Sequence, residues 1–370
     1  MEINRTMKMK LLYPVVLFAT LALTMGCGNA DDDVSLDLNE NGDLGLGKPI
    51  DDCLDFGTNE LILSIQDQYT TLPGKVSVFF RVSDDLGNPV AGLTASNFSI
   101  YEQGRNDDCF NSISVSESFA RISPNTQIFT NHALLVLDLS NSVLSSSLSE
   151  LKSASASFID NVMPAVPSES FTMAIYWFDG EDELHVLHPL SSDKAALIAA
   201  VEGIGSDISN DPSTDLYGAV IKSTNIAKDL LDASGQNNTI GAASVVIFTD
   251  GTDQASRYPE NQALDAVDKA NSNISFFTIG LGAEIDSEVL EQIGKTFSVF
   301  AGNKEELETT FNQLSQKVSE RANSFYLFEY CSPKRDGSGT SNLVIRAQQG
   351  ARQGAVQTSF KADGFTAGCE

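Results

Sequence analysis

An aspartate followed by serines two and four positions on, Asp138-Leu139-Ser140-Asn141-Ser142, closes an apolar run at Ala133–Leu137. Far along the chain, Thr214-Asp215-Leu216-Tyr217-Gly218-Ala219 opens a helix-like stretch, and Val245–Thr249 delivers a further aspartate, Asp250, ahead of Gly251. Asp-x-Ser-x-Ser alone carries little weight in a serine-rich stretch. Three such segments carry more, because carboxylates and hydroxyls are the oxygen donors that a hard divalent cation takes. At the carboxyl ends of parallel strands they stand where open α/β sheets place their ligands.

The three segments, in this order, resemble the metal-ion-dependent adhesion site of von Willebrand factor type A domains and integrin inserted domains. The resemblance covers about half the chain and implies five site residues: Asp138, Ser140, Ser142, Thr214 and Asp250. It further implies that Ser140, Ser142 and often Thr214 coordinate directly, with one or both aspartates acting through water. Mg²⁺ is the expected ion. Mn²⁺ can substitute, and Ca²⁺ fits less well. Three hydroxyls and only two carboxylates under-neutralise such an ion, leaving a position for a carboxylate of a protein partner. The expected action is therefore docking, with no bond made or broken. The alternative is a scaffold lipoprotein of an envelope assembly, with the metal as a fold staple. No H-E-x-x-H, G-x-S-x-G or P-loop occurs, so an enzyme is not expected.

The elements that must hold these residues are legible as apolar runs at Ala133–Leu137, Phe171–Phe178, Val245–Thr249, Ile274–Ile279 and Phe297–Phe300. Amphipathic stretches lie between or after them at Leu148–Val162, 191–204, Leu216–Leu231 and Glu305–Ala322, and Glu183–Leu190 reads as an edge strand. Such alternation predicts an α/β fold: a doubly wound, mostly parallel sheet over 131–323. On either side the pattern is β, at Glu60–Ile65, Lys75–Ser83 and Asn97–Glu102 before it and Phe325–Tyr330, Asn342–Arg346 and Gly354–Phe360 after it. Three strands alone bury a core poorly. The segments 58–130 and 324–370 are therefore expected to share one small β-sandwich, with the α/β domain inserted in it.

Residues 1–26 read as an export signal: Arg5, Lys8 and Lys10, then an apolar run Leu11–Leu23 too short to span a bilayer. Leu23-Thr24-Met25-Gly26-Cys27 resembles the lipobox of bacterial lipoproteins, which implies acylation of Cys27 and anchorage in a membrane. Gly28 after it favours the outer membrane, on its periplasmic or surface face. Residues 27–57 read as an acidic tether. Within it Asp37-Leu38-Asn39-Glu40-Asn41-Gly42 copies the first half of a calcium loop, but Lys48 occupies the twelfth position, so a solvated spacer is expected. Cys53, Cys109, Cys331 and Cys369 predict two disulfides in three possible connectivities. A net charge of −27 excludes nucleic acid as a partner.

The remaining polar candidates read as structural. His185 and His188 are expected on opposite faces of an edge strand, Asp179, Glu181, Asp182 and Glu183 at a solvated hairpin tip, and Tyr176 and Trp177 in sheet packing. Asp253 is a candidate to support the metal aspartate. The last helix of the α/β domain runs straight into Phe325–Tyr330, which makes it a candidate coupling element between the lobes.

Overall fold

The computed structural model describes residues 50–366 except 58–59, 105, 115, 117, 124–128, 237–238 and 334–338. The export signal, Cys27, the acidic spacer through Lys48, and Cys369 lie outside the described residues. No described helix is long and apolar enough to cross a membrane.

A β module opens the chain with β1 (Leu61–Thr71), β2 (Lys75–Asp84), β3 (Phe98–Gln103), β4 (Asn111–Ile113) and β5 (Arg121–Ser123). The chain then runs through β6 (Phe129–Asp138), α1 (Asn141–Ser146), α2 (Leu148–Val162), β7 (Phe171–Phe178), β8 (His185–Ser191) and α3 (Lys194–Glu202). Next come α4 (Leu216–Gln236), β9 (Ile240–Thr249), α5 (Glu260–Asp268), β10 (Ile274–Leu281), α6 (Ser287–Ile293), β11 (Phe297–Ala301) and α7 (Leu307–Ala322). It returns to β structure in β12 (Phe325–Cys331), β13 (Thr340–Gln349) and β14 (Arg352–Lys361).

The sheet of the α/β domain runs β11-β10-β9-β6-β7-β8. Its strands are parallel except for the edge strand β8. Because helices cover both faces, its central strands β6, β9 and β10 are buried along most of their length rather than at alternate residues. In β6, Ala133, Leu135 and Leu137 enter the core under α2 and α7, while Leu134 and Val136 enter the core under α4 and α5. The chain leaves β6 toward β7 on one side and later places β9 on the other. The carboxyl ends of β6 and β9 thus flank the point where the strand order reverses, the crevice in which open α/β sheets bind ligands.

The flanking β module consists of two antiparallel sheets, β1-β2-β12-β5 and β14-β13-β3-β4. In each, strands from after the α/β domain pair with strands from before it: β12 with β2 and β5, and β13 with β3. The two sheets share one core, with Phe80, Phe98, Phe328, Leu343 and Ile345 among its buried members. The α/β domain is therefore inserted in the module. A smaller cluster of Phe79, Phe129, Ala242, Phe325 and Leu327 joins the two lobes. Only Asn323 and Ser324 separate α7 from β12.

Cys53 and Cys109 form a disulfide. Cys331 is also disulfide-bonded, to a partner outside the described residues.

Candidate metal centre

The register of the central strands builds the site. Leu137 of β6 lies beside Phe248 of β9, so the next residues, Asp138 and Thr249, also leave the sheet side by side. Asp138 is fully buried. One of its oxygens, Oδ2, accepts from the Thr249 hydroxyl at 2.7 Å and the other, Oδ1, from the Ser140 backbone N–H at 2.9 Å. The turn into α1 then sets the hydroxyls of Ser140 and Ser142 3.2 Å apart, and Ser142 donates to Asp250 Oδ1 at 2.8 Å. Asp138, Ser140, Ser142 and Asp250 thus form one continuous chain of oxygens, buried at Asp138 and open to solvent at Ser142.

Thr214 reaches the same crevice through its backbone. Its carbonyl accepts from the Gln254 and Ala255 N–H groups beyond Asp250, and the Pro212 carbonyl accepts from Asn141 N–H between the two serines. The side chain is buried, and its hydroxyl makes no hydrogen bond among the described residues. The next residue, Asp215, pairs with Lys222 at 3.1 Å. Asp253 accepts from the Tyr217 N–H in the first turn of α4, where a carboxylate complements the helix dipole, and from Ser256 N–H. Its role is to hold the Thr214 and Asp250 loops together.

Electrostatically the site is short of positive charge. Burial pushes the Asp138 carboxyl up to about 7 in spite of its hydrogen bonds to Thr249 and Ser140, and nearby Asp250 pushes the same way. The Asp250 carboxyl is also raised, chiefly by burial. Neither carboxylate has a lysine or arginine partner among the described residues. Buried carboxylates are costly unless a cation or hydrogen bonds compensate them. The all-oxygen donor set with uncompensated carboxylates fits a hard divalent cation and suits thiophilic metals poorly.

Asp179 corrects the sequence reading. It does not belong to a solvated tip: its side chain is fully buried, whereas Asp182 and Glu183 are exposed. It accepts from Ser209 Oγ at 2.6 Å, Glu181 N–H at 2.8 Å and Asp211 N–H at 3.3 Å, and its carbonyl accepts from Asp215 N–H. Asp179 is thus the anchor of the loop that presents Thr214. A Cβ at neighbouring Gly180 would meet Ser213 Oγ at 2.0 Å and Asp211 Oδ1 at 2.3 Å, so a side chain there would displace the hydrogen-bonded Ser213–Asp211 pair. The histidine pair also departs from expectation. A register shift sets His188 opposite Ile175 and His185 opposite Trp177, so strict alternation fails. His185 stacks on Trp177 and lies 3.4 Å from Glu181, which brings donor atoms of Asp179, Glu181 and His185 within 4.8 Å of one another. The sequence reading also missed Thr249; its signal was its place directly before Asp250 at the end of an apolar strand.

Residues 134–317 match the family model of the von Willebrand factor type A domain. No curated protein matches the chain. Among solved structures, proximal thread matrix protein 1 of the mussel byssus, determined with a zinc-occupied adhesion-site motif, is 15% identical over 53% of this chain and 50% of its own, with a TM-score of 0.42. The chain thus spans about half the length of that protein. A von Willebrand factor type A protein from Catenulispora acidiphila is 11% identical over 81% of this chain and 76% of its own (TM-score 0.44). Manganese-loaded TRAP protein of Plasmodium vivax is 12% identical over 67% and 98% (TM-score 0.43). Through residues 134–317, the chain belongs to the von Willebrand factor type A domain family.

Proposed function

We propose that this protein is a cation-dependent docking module, exported and held at the outer membrane through a lipid on Cys27. Asp138, Ser140, Ser142, Thr214 and Asp250 would hold the ion, with Mg²⁺ the best fit to an all-oxygen set and Mn²⁺ a substitute. When bound, the ion supplies an electrophilic position that a carboxylate from a protein partner can complete. The residues of the chain do the rest. Thr249 and the Ser140 N–H orient Asp138, Asp179 and Asp253 fix the loops around Thr214, and the exposed side at Ser142 leaves room for a partner.

The observation that carries the reading is the buried Asp138 beside Asp250, with no basic residue among the described residues to neutralise either. The test is capture of partners from envelope extracts in magnesium and in EDTA, with wild type and Asp250→Ala. Partners retained only by wild type in magnesium support docking; an identical set under all conditions sinks it. The scaffold reading draws on the same geometry, because the site residues tie the ends of β6 and β9 together. Asp138→Ala separates the two. Loss of a partner at unchanged melting temperature indicates docking, and loss of stability alone indicates a staple.

A further inference from the structure

A second cleft lies between the lobes, at the amino-terminal ends of β10 and β11 and so at the opposite end of the sheet from the candidate metal centre, and its charge is of the opposite sign. A cleft of about 390 Å³ opens between Arg81 and the turn after β2 on one wall, and the starts of β10 and β11 and the last turns of α7 on the other. The chain has 50 acidic residues against 23 lysines and arginines, yet four of those cations line this cleft and no lining residue is acidic.

Arg321, on α7, is the deepest of the four. It is 8% exposed, donates to Ser275 Oγ at 2.8 Å and the Ser272 carbonyl at 3.3 Å, and packs over the Phe325 ring. It has no carboxylate partner among the described residues, and burial, aided by nearby Arg81, holds its pKa down to about 9. Arg81 points Nη1 at the same Ser272 carbonyl, 3.5 Å away. One helical turn before Arg321, Lys317 reaches Glu320 at 3.2 Å, while Lys295 donates to the Val267 carbonyl. Glu320 and nearby Asp268 offset the charge of the two lysines, but Arg321 is buried beside Arg81. Like charges gathered where water is partly excluded repel one another, and an anion between them offsets that cost.

We infer that this cleft binds an oxyanion, a phosphate or carboxylate head group, between Arg81 of the β module and Lys317 and Arg321 of α7. Guanidinium groups suit such a head because their planar forks donate two parallel hydrogen bonds. The volume exceeds that of a bare inorganic anion and falls in the range of small-molecule sites, and Ile274, Phe277 and Phe297 add apolar lining, so the ligand carries an apolar body as well. A bound anion would clamp the last helix of the α/β domain to the sandwich. This inference does not depend on the metal reading.

The test is calorimetry on the whole chain in EDTA, with inorganic phosphate and succinate titrated at constant ionic strength against a chloride control. Saturable binding of either probe is expected, weakened about tenfold or more in Lys317→Gln and Arg81→Gln, each checked for folding by circular dichroism. The tighter probe identifies the head group as phosphoryl or carboxylate. Heats indistinguishable from chloride, or folded variants that bind as wild type does, would overturn the inference.

Discussion

Thr249 donates its hydroxyl to Asp138 across 2.7 Å, joining the ends of two strands that are distant in sequence and adjacent in the sheet. Both residues are fully buried, so this bond fixes the orientation of a carboxylate shielded from bulk solvent. Thr249→Val keeps the shape and removes the donor. Magnesium affinity is expected to fall about 10- to 100-fold, as it does when a partner that orients a metal ligand is lost. Titration calorimetry reads the change, and equal affinity would remove Thr249 from the site.

Asp138→Asn removes a buried negative charge that no basic residue among the described residues offsets. In EDTA the variant is expected to melt at or above the wild-type temperature, because the desolvation cost disappears. Magnesium should stabilise the wild type by about 2.7 kcal/mol at one hundred times its dissociation constant, and the variant not at all. Thermal melts with and without the ion check both halves. A variant still stabilised by magnesium would place the ion elsewhere.

Phe79 is fully buried, with ring centroids of Phe129 and Phe325 at 5.2 and 5.7 Å. These rings join the lobes, since Phe129 begins β6 while Phe79 and Phe325 lie in the β module. Phe79→Ala is expected to cost about 3–5 kcal/mol in urea unfolding. A loss below about 1 kcal/mol, typical of surface positions, would show that the junction contributes little.

His132 sits in β6 with Nδ1 2.8 Å from the Thr172 hydroxyl, and burial lowers its pKa. The unfolded state therefore takes up a proton more readily, near the ordinary histidine value of about 6.5. Its contribution to stability is present above that value and is lost as pH falls through the lowered folded pKa. The stability difference between wild type and His132→Gln, measured from pH 7.5 down to pH 5, should shift against the wild type on acidification. A difference independent of pH would show that His132 titrates in the folded state as it does in the unfolded state.

The Cys53–Cys109 disulfide ties residues 56 apart in sequence. By chain entropy, closing such a loop stabilises the fold by about 4 kcal/mol. The double Cys53→Ser, Cys109→Ser variant should unfold correspondingly earlier in urea, without change in magnesium affinity. Unchanged unfolding would mean that the loop keeps its order without the crosslink.

Much of this molecule follows from local pattern. Apolar runs flanked by amphipathic stretches specify a covered parallel sheet wherever they occur, so Phe171–Phe178 and Leu148–Val162 could be placed to the residue. The short α5 and α6 could not, because they bury only Ala263 and Val267 in one and Val289, Leu290 and Ile293 in the other, too few positions to establish a period. The five candidate positions could be proposed from sequence because oxygen donors recur at strand and helix ends in a recognisable order. Their supports were not. Thr249 matters only because the register sets it beside Asp138, and Asp179 only because the loop carrying Thr214 folds back onto it. The basic cleft is wholly a product of assembly, since Arg81 meets Arg321 only when β12 slots in beside β2. Sequence by itself therefore determined which elements form and which donor atoms end them. The tertiary structure decided which of those atoms meet, because pairing between distant strands depends on register and burial that no local stretch encodes.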